Sequence, residues 1–470
     1  MDFFGVVIDF SFWQWFIDLP NTEQAPVIFA LGGWVFISYY ILKAGVDLWA
    51  EYRNSTKYVH NWEWVLLAVD VPQMFVQTPK AVEQIFAHLT GSLAHLDVGD
   101  KFWKGKSQKR FSLEIISFEG YIQFLIRTEA EYRDLVEASV YAQYPEAEIT
   151  EVEDYIVNIP DKFPNDDYDV TGIEFKLAND NAYPIRTYQE FEYSLSKEAV
   201  FSDPMAAILE NFTRIGHGEN FWLQIIVEPI SSAWKEKGIE LAKRLLKGEP
   251  ASSGSGLGGI AGALTGFLNF FAVEMGNIIQ WNFEPKDTKD KKEERKGEAV
   301  TPGMKKTVEA IEEKISKVGF KNKLRVLYAA RKEVYNPGRC ISGLVGAMNQ
   351  FHIQDRNAIV PAASTQAHYD SNRKKSDLLK TSFVKVFKAR KMKWKKIGGY
   401  IMNTEEMATL WHFPLPFVKT PLLHKSGHKR GEAPSGLPIE ILESPLKPKL
   451  SDNITSEKPA DDKPEGLQFS

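Results

Sequence analysis

Between Ala25 and Leu42 the chain reads APVIFALGGWVFISYYIL, 18 positions without a charged residue. At about 1.5 Å per residue, a helix of that length reaches close to the roughly 30 Å hydrocarbon thickness of a bilayer. Pro26 suits a first helical turn, where its missing N–H costs nothing, and Trp34, Tyr39 and Tyr40 are aromatics of the kind favoured at a membrane interface. The run therefore predicts one transmembrane helix over 25–43, closed by Lys43, with Pro26, Phe29, Trp34, Phe36, Tyr39, Tyr40 and Leu42 as its anchoring side chains. The competing reading is a buried helix of a soluble domain. Asp2, Asp9, Asp18 and Glu23 precede the run, whereas Lys43, Arg53 and Lys57 follow it. The positive-inside rule then predicts a single-pass protein of the cytoplasmic (inner) membrane, N-terminus outside and bulk in the cytoplasm. The acidic start and the lack of a small-residue cleavage site argue against a removed signal peptide. Within residues 1–24, the aromatic stretch from Phe3 to Ile17 is too short to cross a bilayer and predicts an interfacial helix, with contact to a partner helix as the alternative.

A chain of 470 residues exceeds what one core usually organises, so two to three folded units are expected. The single Cys340 excludes an internal disulfide and a cysteine-rich zinc site. A net charge of −5 gives no global attraction to nucleic acid or acidic lipid, so any such binding needs a local patch.

Beyond the membrane run, hydrophobic periodicity predicts an α+β body. Trp62 to Val71 reads as a strand, and Thr78-Pro79 opens a helix carrying Val82, Ile85, Phe86 and Leu89 on one face. Phe111, Leu113 and Ile115 alternate with Ser112 and Glu114; Glu119-Gly120 turns the chain, and Ile122, Phe124 and Ile126 continue on a second strand. Thr128 and Glu131 have the spacing of a capping box for a helix that Tyr144-Pro145 stops, and a strand follows near Glu148 to Val157. The order β-α-β-β-α-β predicts a ferredoxin-like lobe over 60–160. A related order recurs over 170–365: a helix from Asp203-Pro204, a strand at Phe221 to Val227, a helix from Ser232 to Lys247, a helix from Thr301-Pro302, a strand at Leu324 to Ala330 and a helix from Asn336-Pro337. This second lobe carries an insertion at 248–300, with an apolar Gly-rich half and a charged half. For the apolar half, a loop touching the membrane is preferred over a second span, which would put the two lobes on opposite sides. A basic segment and helical extension occupy 366–424, and the tail 425–470, rich in Pro, Lys, Glu, Ser and Asp, is expected to be disordered.

No motif calls for catalysis. The chain has no G-x-x-x-x-G-K-[ST] phosphate loop, no H-E-x-x-H, no G-x-S-x-G and no G-x-G-x-x-G after a strand. His424 and His428 have the spacing of helical metal ligands but lack an acidic or thiol partner nearby. No catalytic, cofactor or metal residue is therefore assigned. From Arg373 to Lys396 there are eleven Lys or Arg against Asp377, interleaved with apolar residues. Arg373, Lys374, Lys375, Lys388, Arg390, Lys391, Lys393, Lys395 and Lys396 are the candidates for contact with anionic lipid or DNA. The bland alternative is an amphipathic helix packing its apolar side on the lobes.

The stretches RFSLEIISFEGYIQFLIRTEAEYRDLVEASVYAQYPEAEITEVEDY, SDPMAAILENFTRIGHGENFWLQIIVEPI and MNTEEMATLWHFP, followed by SGLPIEI, resemble the membrane-proximal module of HerA/FtsK-type conjugative, type IV secretion-related ATPases. The likeness runs from about Trp62 to Ile441. In fused members a P-loop motor follows the segment matching Leu437 to Glu440; here a polar tail follows instead, so no nucleotide-binding residue carries over. The resemblance implies a non-catalytic, membrane-anchored scaffold subunit of a conjugation or secretion apparatus that docks a separately encoded hexameric P-loop ATPase. The alternative is a membrane protein that binds DNA through 373–396. Membrane lipid, the ATPase, DNA and a second copy of the chain are the expected partners.

Overall fold

The computed structural model describes residues 2–3, 6–7, 15, 19–20, 34–59, 62–72, 77–192, 203–247, 301–366, 373–395 and 397–414. The insertion 248–300, the tail 425–470, His424, His428, Pro26 and Phe29 lie outside them. The chain forms two compact units, one of Met1–Glu63 with Ala94–Lys109, the other of Trp64–Leu93 with Arg110–Ser470.

In the first unit, β1 (Asp2–Phe3) pairs antiparallel with β2 (Val6–Val7). The described start of the aromatic stretch is thus strand rather than the expected helix, in keeping with the β-branched Val6 and Val7. Helix α1 (Trp34–Arg53) runs ten residues beyond Lys43, where the membrane run was expected to close, and passes into a π-turn over Asn54–Tyr58. Its Lys43, Ala44, Leu48, Ala50 and Glu51 are good helix formers and no proline interrupts them, so nothing local stops it. Among the described residues no helix is long and apolar enough to cross a membrane. Residues 25–33, half of the uncharged run, are not among them.

The second unit is α+β, built on one nine-stranded antiparallel sheet. Its strands are β3 (Trp64–Asp70), β4 (Phe111–Phe118), β5 (Tyr121–Glu129), β6 (Glu148–Glu151), β7 (Tyr168–Leu177), β8 (Glu219–Pro229), β9 (Gly319–Arg331), β10 (Ile359–Ser364) and β11 (Tyr400–Asn403). They lie in the order β10-β7-β9-β8-β4-β5-β3-β6, with β11 pairing β9 beyond the end of β7. Read from β3 to β6, the first half has its strands in the order fourth, first, third, second; read from β7 to β10, the second half has the same order. That is the order a β-α-β-β-α-β chain adopts when each helix crosses over one intervening strand. The halves are not separate lobes. They join through their corresponding strands, β4 and β8, whose register runs from Phe111↔Val227 to Phe118↔Asn220.

The helices follow local signals. α2 (Pro79–Leu89), α6 (Pro204–Thr213), α8 (Pro302–Ser316) and α9 (Pro337–Met348) each begin with proline in the first turn, and Asp203 and Thr301 also cap with their side chains. The Glu119-Gly120 turn takes φ of 51° and 98°, the left-handed pair that a two-residue hairpin requires. The capping box at Thr128 does not form. Thr128 is buried inside β5, a 3-10 turn follows over Ala130–Tyr132, and α4 (Arg133–Gln143) begins only after it, because pairing with Val65 on β3 holds Thr128 extended. The strand expected to reach Val157 stops at Glu151, and Tyr155–Asn158 is a 3-10 turn capped by Asp154.

α2, α4, α6, α9 and α11 (Thr404–Leu410) bury their apolar faces in one core with residues such as Leu113, Ile115, Leu223 and Val326. The other face of the sheet is covered by Tyr155, Ile156 and Ile159 and by Phe383, Val384 and Phe387 of α10 (Arg373–Lys388), with Trp394 beyond it. Burying each such large apolar side chain is worth about 1.5–3 kcal/mol. Gly172 makes this cover possible: a Cβ there would lie 2.2 Å from the Phe383 ring. A third cluster joins α7 (Trp234–Leu246) to α8.

Candidate functional site

The uncharged run and the basic segment are the two places where the sequence puts functional residues. On α1 the described anchor side chains are open: Trp34 is 51% exposed, Tyr40 64% and Leu42 69%, with Tyr39 also exposed. Val35, Ile41, Val46, Leu48, Trp49 and Tyr52 are exposed as well. At about 100° per residue, the apolar positions up to Leu42 fall on every side of the helix. From Lys43 onward the pattern changes: Lys43, Asp47 and Glu51 share one side, and Val46, Leu48, Trp49 and Tyr52 the other.

The basic segment divides differently. α10 packs through Phe383, Val384 and Phe387, and its cations are partly consumed in ion pairs. Lys380 reaches Asp169 at 2.6 Å, and Lys388 reaches Asp161 and the Ile159 carbonyl, each at 2.5 Å. Arg390 corrects the expectation of a surface contact: it is 2% exposed and turned into the protein. Its Nε donates to Glu114 Oε1 at 3.0 Å, Nη2 to Glu114 Oε2 at 3.2 Å, and Nη1 and Nη2 to Asp154 at 2.5 and 2.9 Å. The reason is the sheet beneath it, which presents a buried carboxylate needing a partner. Lys374, Lys375, Lys391, Lys393 and Lys395 remain exposed; the side chain of Arg373 and residue Lys396 lie outside the described residues.

That carboxylate belongs to an arrangement that the alternation of apolar and polar residues conceals. Glu174, Arg325, Gln224 and Glu114 are direct cross-strand neighbours on β7, β9, β8 and β4, and all four are 0% exposed. Arg325 Nε donates to Glu174 at 2.9 Å, Lys323 lies 2.5 Å from the other Glu174 oxygen, and Gln224 Nε2 donates to Glu114 at 3.1 Å. Ser112 and Tyr155 complete the shell of Glu114 with hydrogen bonds of 2.6 and 2.8 Å. Burial pushes the Glu114 carboxyl up, but the Arg390 guanidinium and these donors overcome it and hold it at about 2. Burial pushes Arg325 and Lys323 down against the pull of Glu174. Gln224 Oε1 and the two Nη atoms of Arg325 have no hydrogen-bond partner among the described residues. The groups of this ladder are turned toward one another, so their chemistry is that of a clamp across the seam between the halves. A sequence signal existed: FWLQIIV on β8 and LRVLYAA on β9 are apolar in both phases, the mark of strands covered on two sides.

A second buried pair sits on the opposite face. Lys314 Nζ lies 2.9 Å from Glu406 and donates to the Tyr183 carbonyl at 3.1 Å; burial lowers its pKa while Glu406 opposes the shift. Glu406 also closes a capping box with Asn403, in which Glu406 N–H donates to Asn403 at 2.8 Å and Asn403 N–H to Glu406 at 3.0 Å. The adjoining cavity, lined by Ile185, Glu190, Arg356 and Asn403 among others, measures about 30 Å³, room for little more than water. The motif residues NTEEMATLWHF, Asn403 to Phe413, are all buried. Trp411 and Phe413 pack on Phe124 in the first half, and His412 Nε2 lies 2.9 Å from Asp203 in the second. Among the described residues no group of three or more His, Cys, Asp or Glu side chains could hold a metal ion.

The fold and these clusters define an α+β sheet protein whose buried charges serve its architecture. A family model described as a domain of unknown function, DUF8128, matches residues 72–425, three quarters of the chain, and the chain belongs to that family. No curated protein matches it.

Proposed function

We propose that this chain is a membrane-attached scaffold subunit without a catalytic centre, whose two ferredoxin-like halves dock a separately encoded hexameric P-loop ATPase at the cytoplasmic face. One observation carries the membrane part: from Trp34 to Leu42, α1 bears exposed apolar and aromatic side chains on every side, directly after nine further uncharged residues. A protein partner covers one side of a helix; a bilayer solvates all of them. The docking part rests on the resemblance to the membrane-proximal module of conjugative ATPases. A motor that pushes substrate needs a fixed counterpart, and a rigid sheet tied to lipid supplies one.

The test is fractionation of lysed cells. The full chain is expected in the membrane pellet, released by detergent and not by high salt, and to bring down a P-loop ATPase after crosslinking. Recovery in the supernatant without detergent overturns the attachment, and a crosslinked extract without such an ATPase overturns the docking. A second reading, DNA binding, is favoured by the exposed Lys391, Lys393 and Lys395. It predicts salt-sensitive DNA retention lost on changing these three to glutamine.

A further inference from the structure

We infer that residues 94–109 form a second membrane contact, selective for anionic lipid headgroups, at the end of α1; this rests on the membrane attachment proposed above. The segment belongs to the same compact unit as α1. It is fastened there by backbone geometry. Arg53 Nε and Nη2 donate to the Trp103 carbonyl at 3.1 and 2.6 Å, and Asn54 Nδ2 donates to the Gly105 carbonyl at 2.7 Å. Gly105 has φ of +70°, and a Cβ there would lie 2.7 Å from the Arg53 and Asn54 backbone, so the approach requires glycine.

What this fastening presents is an exposed aromatic and aliphatic pair among lysines. Val98, at the start of α3 (Val98–Phe102), is 74% exposed and Trp103 73%. Lys101, Lys104, Lys106 and Lys109 stand against Asp97 and Asp100. Asp100 engages Lys104 at 2.9 Å and Lys106 at 3.5 Å, while Lys101 lies over the Phe102 ring and Lys109 over the Trp62 ring. One carboxylate shared by two ammonium groups leaves a positive balance. The segment is bonded to the part of α1 where apolar residues no longer surround the helix but keep to one side, with Leu48, Trp49 and Tyr52 exposed there. A helix leaving hydrocarbon reaches the headgroup layer at such a point, where tryptophan is favoured and lysines meet phosphate. Charge and aromatic content thus argue for lipid as the occupant.

The experiment uses the full chain with Val98→Cys carrying a nitroxide label; the single native thiol, Cys340, is buried. The protein is reconstituted into vesicles of phosphatidylcholine alone or with phosphatidylglycerol. Flotation reports attachment, and collision of the label with oxygen against a water-soluble nickel chelate reports its depth. The expected result is flotation in both lipids, with the label shielded from nickel several-fold more in the anionic vesicles. Changing Lys101, Lys104 and Lys106 together to glutamine is expected to remove most of that difference, and Trp103→Ala to weaken shielding in both lipids. Flotation with equal nickel access in the two lipids overturns this inference while leaving the attachment standing. Failure to float overturns both.

Discussion

Glu114 on β4 and Arg390 in the turn after α10 lie 276 residues apart in the chain, yet they meet inside the protein through paired hydrogen bonds of 3.0 and 3.2 Å. Asp154 receives the rest of the guanidinium, so one arginine ties the first half of the sheet to the segment that covers both. Removing one member of a buried pair leaves the other charge uncompensated, at a cost of about 3–5 kcal/mol. Arg390→Met is therefore expected to lower the urea midpoint strongly. Combining it with Glu114→Gln should return part of that loss; additive losses in the double variant would mean that the two side chains are not coupled.

The same pair sets an acid response. The Glu114 carboxyl is held at about 2, below its ordinary 4.5, so its stabilising contribution is complete above about 4.5 and is lost as pH falls toward 2. The total at stake is roughly 3 kcal/mol. Unfolding curves between pH 5 and pH 2 should show the native chain losing stability faster than Glu114→Gln, the two converging at the acid end.

Gly172→Ala tests the cover over the sheet. A methyl group would run into the Phe383 ring, and overpacking of this kind costs about 1–3 kcal/mol. Thermal melts should show the loss, and Phe383→Leu in the Gly172→Ala background should recover some of it. A Gly172→Ala chain as stable as the native one would mean that α10 does not press on β7 there.

Lys314→Met strands Glu406 in the interior, where the backbone N–H groups of Ile185 and Asn403 would still serve it but no cation among the described residues would. The expected destabilisation is about 3–5 kcal/mol, with partial recovery on adding Glu406→Gln. Hydrogen exchange should register it first in α11, because Glu406 closes the capping box that starts that helix.

Much of the local structure was legible from residues. Val82, Ile85, Phe86 and Leu89 are spaced for one helix face and are buried on it. The four Thr, Asp or Asn residues followed by proline mark four helix starts, and Glu119-Gly120 marks the hairpin. The seam was not legible. Ser112 and Glu114 alternate with apolar neighbours as solvent-facing residues do, but the 3-10 turn at Tyr155 and a segment more than 250 positions later cover them. Burial of a polar residue by a distant element leaves no periodic trace; the nearest thing to one was the unbroken apolar character of β8 and β9. Likewise the basic segment looks like a uniform patch, although Arg390 is drawn inward by a carboxylate on another element while Lys391 and Lys393 stay outside. Within LWHFP, Trp411 packs on Phe124 in the first half and His412 bonds to Asp203 in the second, contacts that the spacing of the residues does not disclose.

The antiparallel pairing of β4 with β8 means that neither half can be cut free without damage. A fragment ending near residue 165 would bare the whole length of Phe111–Phe118 as an open edge, with its backbone donors and acceptors ready to recruit another strand. It would also lose Arg390, leaving the Glu114 carboxylate without its cation. The repeated strand order invites division into two modules, but the strand pairing runs unbroken across that line, and truncations that respect the repeat are the ones that should aggregate.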